Sequence, residues 1–112
     1  MRAHVSKVTD YRLMLSFEEN SEYTNIVTRE TFENITIAKN AVYQAFDEVV
    51  KASHPEAVYE GIIMVKDLVC AGCGERHNYL KNEDGIKSYA YMDGTFNNGN
   101  FKISVISDSA PD

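Results

Sequence analysis

Apolar residues alternate early in this chain and then recur at helical spacing, and the change limits the folds open to it. Thr9, Tyr11, Leu13, Leu15 and Phe17 fall at every second position, with Ser6, Asp10, Arg12, Met14 and Ser16 on the opposite face. Period two is the mark of a strand with one buried face. From Ala38 the period lengthens. Ala38, Ala41, Val42, Ala45, Phe46, Val49 and Val50 recur at intervals of three and four, and Lys39, Asn40, Gln44, Asp47, Glu48 and Lys51 take the other side. That is an amphipathic helix, expected over about residues 36–53. Asn34 or Thr36 can cap its start, because a side-chain oxygen there accepts from a free backbone N–H. Pro55 prevents continuation past Ser53.

The remaining segments read as strands. Glu18-Glu19-Asn20-Ser21-Glu22 is a polar turn, and Tyr23 to Thr28 follows as the second arm of a hairpin. Ala57 to Val69 carries four consecutive apolar residues, Ile62-Ile63-Met64-Val65. Such a run suits a strand covered on both faces, so it is the expected central strand. Ile86 to Met92 and Phe101 to Ile106 make a second hairpin around a turn-rich loop, Asp93 to Asn100. The chain therefore predicts an α+β fold in the order β-β-α-β-β-β. It is two-layered, with a mainly antiparallel sheet of about five strands and the helix on one face. Residues 1–106 form one domain, and the polar segment 107–112 is an expected loose tail.

Charge narrows the partners. Seventeen acidic residues against eleven basic ones give a net charge of −6, with no run of Lys or Arg. A grip on nucleic-acid phosphates needs clustered cations, so direct DNA or RNA binding is not expected. Anionic membranes are disfavoured for the same reason, and no stretch approaches the length of a membrane span. Acidic surface favours solubility and suits a protein partner with a basic surface. Glu18, Glu19, Glu22, Glu30, Glu33, Asp47 and Glu48 are the candidate partner-binding residues. Phage-encoded inhibitors are similar in size and charge, an analogy of composition rather than of motif. The first expectation is thus a small acidic binding module that regulates or inhibits a larger protein, such as a nucleic-acid-handling enzyme. A homodimer is open as well.

Cys70-Ala-Gly-Cys73-Gly74, with His77 four residues beyond, is the chain's main metal-like motif. Two thiolates on a tight turn can converge on one ion, and the glycine lets the backbone fold beneath it. The turn resembles one knuckle of a zinc ribbon. A closed zinc site has four ligands, and the second knuckle is missing. His4, His54 or Asp67 could complete a set with Cys70, Cys73 and His77, or a dimer could pool ligands. A zinc-stabilised domain is therefore the alternative expectation. Inert thiols in a plain turn would leave the same sequence. A Cys/His enzyme is a further alternative, but a nucleophile needs an oriented base and no orienting partner is evident. No residue is assigned a catalytic role. A cysteine pair this close staples little of the unfolded chain, which fits a reducing, cytoplasmic location.

Seven tyrosines remain. Tyr89 and Tyr91 are expected with Lys87 on one strand face, opposite Ser88 and Ala90. Such rings either pack beneath the helix, enter an interface or stack on bases.

Overall fold

Strand β1, Arg12–Glu19, turns tightly into β2, Glu22–Val27, through Asn20 and Ser21 alone. Both turn residues have positive φ, 53° and 69°. Such a turn matches the right-handed twist of the arms it joins. The expected five-residue turn is therefore shorter, with Glu18 and Glu19 still in the strand. The computed structural model of the protein describes residues 10–68, 74, 79–81 and 85–107.

Helix α1, Ile35–Ala45, starts on Asn34, whose Oδ1 accepts from the Ile37 N–H at 2.9 Å. It continues through a π-helical turn, Phe46–Val50, and a last turn, Lys51–Ser53. Within the π turn the Lys51 N–H donates to the Phe46 carbonyl, five residues back. Ala38, Val42, Phe46 and Val50 are the buried residues of the helix. Their spacing is strictly four, which in an α-helix drifts by ~40° per step. The wider π turn takes up that drift and keeps Val50 on the sheet. Val49, expected on the apolar face, is 42% exposed as a result.

Four short elements follow: β3 (Val58–Tyr59), β4 (Ile63–Met64), a 3-10 turn (Val65–Asp67) and β5 (Leu80–Lys81). Two long strands close the described chain: β6 (Lys87–Phe96) and β7 (Gly99–Ser107). The strands join one antiparallel sheet in the order β2-β1-β7-β6, and β3, β4 and β5 each pair with the far side of β6. The α+β class and the single packed helix are as the sequence predicts.

Two placements differ. The central strand is β7, between β1 and β6, and not the segment 57–69. The consecutive apolar run is divided at an edge. Ile63 and Met64 are half-buried against β6, while Val65 is buried in the 3-10 turn that bends the chain away. The second hairpin also has no long loop. Its strands run through the turn-rich segment to a tight turn at Asn97 and Asn98. Gly94 belongs to β6 because the Phe101 ring lies across it, where a Cβ would also strike the Val58 carbonyl oxygen. Gly99 similarly admits the Glu18 backbone of β1.

The core lies between helix and sheet. Leu13 and Leu15 of β1, Ala90, Met92 and Phe96 of β6, and Phe101, Ile103 and Val105 of β7 meet the buried helix residues. β7 reaches Ser107, so the strand claims the first residue of the expected tail. Residues 108–112 lie outside the described ones.

Candidate functional site

The candidate acidic residues divide between two ends of the molecule. Tyr11 and Phe32 exchange backbone hydrogen bonds, at 2.8 and 2.9 Å, so the helix begins beside the start of β1. Glu30 and Glu33 sit at this end, lining an open concavity with Thr31, Phe32, Ile37 and Asn40. The helix then runs towards the two hairpin turns. His54, just past its last turn, stacks on Phe96 with ring centroids 3.8 Å apart. Glu56 Oε2 accepts the Asn97 N–H at 3.0 Å. The turns are themselves joined, because the Asn20 N–H donates to the Asn98 carbonyl at 3.2 Å.

Glu18, Glu19 and Glu22 flank the first turn, and Glu56 holds the second. Asp47 and Glu48 are exposed in the π turn, on the half of the helix that approaches this end. Three of the seven sequence candidates, Glu18, Glu19 and Glu22, therefore flank the joined turns, and Glu56 joins them there; Asp47 and Glu48 stand apart on the helix. Sequence spacing missed Glu56, since its role comes from a fold-back contact 41 residues away. Lys102 approaches Asp93 at 4.0 Å, and Asn100 Nδ2 donates to Glu18 Oε1 at 3.4 Å. The Asn97 N–H, first, then Glu56's own backbone N–H and His54 hold the Glu56 carboxyl below the ordinary range.

Cys70, Cys73 and His77 lie outside the described residues, as does His4. Gly74 is described and has φ 72°, a conformation that favours glycine. Of the other possible ligands, His54 is committed to Phe96 and lies 4.0 Å from Glu56, and Asp67 ends the 3-10 turn. Among the described residues no group of three His, Cys, Asp or Glu side chains is arranged to hold a metal ion.

The tyrosines part company. β6 carries one extra residue between the pairs Ser88↔Ile106 and Ala90↔Val105. This bulge at Tyr89 breaks the alternation, so Tyr89 and Tyr91 do not share a face. Tyr89 is buried edge-on to Tyr11 at 5.3 Å and beside Tyr79 at 5.8 Å. Lys87 is buried with its Nζ 5.0 Å from the Tyr79 ring. Burial, then the neighbouring Tyr11, Tyr79 and Asp10, push the Tyr89 hydroxyl up to about 12. Tyr91 instead lies on the helix-free face under Lys102, 4.8 Å from its ring. It lines a concavity of about 250 Å³ with Met14, Leu80, Ser104 and Ile106.

No helix among the described residues is long and apolar enough to cross a membrane. Compared with family models, curated proteins and solved structures, the chain finds no significant match.

Proposed function

We propose that the protein is a small binding module that docks its acidic end on a basic surface of a larger protein and so regulates or inhibits it. The supporting observation is the gathering of Glu18, Glu19, Glu22 and Glu56 around two hairpin turns that hydrogen bonds tie together. A negative patch on a braced support meets a cationic partner with little ordering cost. Its contacts are solvent-exposed and hence screened by salt. A cytoplasmic location belongs to the same proposal, as does a partner that handles nucleic acid and presents the basic groove such enzymes need.

The test starts from a partner captured in the native host and identified by mass spectrometry. Titration calorimetry at low and high salt then reads the contact. Affinity should fall steeply with salt, and replacing Glu18, Glu19 and Glu22 together by glutamine should weaken binding and flatten the salt slope. Equal affinity at both ionic strengths rejects the acidic contact.

A zinc-stabilised domain built on Cys70, Cys73 and His77 is a second reading, favoured by the cysteine spacing and the left-handed Gly74 beside it. Metal analysis of protein purified without added zinc decides it. Cys70→Ser should empty the site and lower the melting temperature. Unchanged metal content and stability leave only a turn.

A further inference from the structure

Strand β2 is exposed along its whole length, with Tyr23 at 76% and Ile26 and Val27 each at 46%. It ends the sheet, and among the described residues no strand lies beyond it. Natural edge strands are commonly guarded by lysine, proline or a bulge. None of these interrupts Glu22–Val27.

The direction of its free backbone groups follows from one bond. The Thr28 N–H donates to the Leu13 carbonyl at 2.9 Å. Backbone groups alternate direction along an antiparallel strand. Glu22, Thr24 and Ile26 therefore turn theirs towards β1, while Tyr23, Asn25 and Val27 turn theirs outward.

We infer that β2 is a self-pairing edge, joined antiparallel to β2 of a second copy of this chain across a two-fold axis at Asn25. In that register Tyr23 faces the copy's Val27, Asn25 faces Asn25, and Val27 faces Tyr23. Each outward N–H then meets an outward C=O, so no backbone group of the edge stays unpaired. Registers shifted by two residues leave some of them unmatched. Side chains agree with the pairing. Tyr23, Asn25 and Val27 share the helix-free face with Met14, Ser16 and Glu18. Tyrosine opposite valine is a favourable cross-strand pair. On the helix face Thr24 meets the copy's Ile26.

Charge favours this occupant. Tyr23 to Val27 is uncharged, so no like charges oppose one another within the strand. Glu22 stands before it and Arg29 just after it. An antiparallel copy brings each Glu22 towards the other chain's Arg29, whereas a parallel copy would set like against like. The two sets of hairpin turns then point away from each other, which separates the acidic ends of a chain carrying −6. The inference stands apart from the docking proposal, since it needs no partner protein.

Sedimentation velocity across a concentration series tests it with the full chain. The protein should show a reversible monomer–dimer equilibrium. Asn25→Pro removes only an outward N–H, a position where edge strands accept proline. It should weaken dimerisation about tenfold or more, as loss of paired backbone bonds implies, while the far-UV spectrum is retained. Val27→Lys should act likewise, and it covers the case in which the proline variant fails to fold. Glu22→Arg and Arg29→Glu should each weaken the dimer, and together restore it. A wild-type chain that is monomeric at every concentration overturns the inference, including the case where β2 instead captures an extended peptide. So does a dimer that Val27→Lys leaves intact.

Discussion

Glu56 and Asn97 are 41 residues apart, yet the Glu56 carboxylate accepts the Asn97 backbone N–H at 3.0 Å. The contact clasps the segment after the helix to the β6–β7 turn. Because that turn also accepts from Asn20 through the Asn98 carbonyl, one carboxylate supports both hairpin tips.

The clasp should weaken in acid. The folded Glu56 carboxyl titrates below its ordinary range, chiefly because of the Asn97 N–H. Its contribution is therefore present above the unfolded pKa and is lost as pH falls through the folded one. Glu56→Ala should lower the melting temperature at neutral pH and change little once the carboxyl is protonated. Amide exchange at Asn97 should quicken over the same acidic interval. An equal Glu56→Ala effect at both pH values would mean the charge is irrelevant.

Tyr89 makes the opposite prediction at alkaline pH. Burial, first, holds its hydroxyl near 12, above the ordinary tyrosine value of about 10. The raised pKa gives a contribution that is complete below the unfolded value and is lost as pH climbs from there through the folded one. Phenolate absorbance should show a late step near pH 12 that Tyr89→Phe abolishes. The same variant should resist alkaline unfolding better than the parent.

Asn34 caps the helix through Oδ1. Asn34→Ala should cost about 1 kcal/mol, while Asn34→Ser should retain most of the stability. Urea unfolding followed by circular dichroism reads both.

Gly94 lies beneath the Phe101 ring with no room for a Cβ. Gly94→Val should destabilise by about 1–3 kcal/mol, since Phe101 is buried and must leave its rotamer. Trimming the ring with Phe101→Leu should soften the penalty. A double-mutant cycle measures that coupling.

Much of the architecture could be read from residue spacing. Alternation at Leu13 and Leu15 marks β1, and the three-and-four pattern with Pro55 bounds the helix, while the sequence alone leaves its cap between Asn34 and Thr36. Misplaced features arise where local pattern and tertiary role part. Val49 leaves the core because a π turn intervenes, and no spacing rule marks such a turn. β7 alternates Phe101, Ile103 and Val105 with Lys102 and Ser104, so it resembles a one-sided strand. Yet it is central, and Ser104 and Ile106 on its other face are buried too. Ile62 to Val65 shows the reverse, since its burial comes from a corner. At Tyr89 one extra residue reverses the face of everything that follows. The acidic residues were visible individually, but their grouping depends on turns meeting across the sheet. Glu30 and Glu33, equally acidic, fall at the far end.

The far side of β6 carries a lesson about how this chain can vary. Three separate two-residue patches, Val58–Tyr59, Ile63–Met64 and Leu80–Lys81, dock on successive stretches of it. Each patch takes its alignment from β6 and not from the patch before it. A slip in one patch is thus not handed on to the next through a shared ladder. That flank is a mosaic, assembled from small pieces that each answer to one long neighbour.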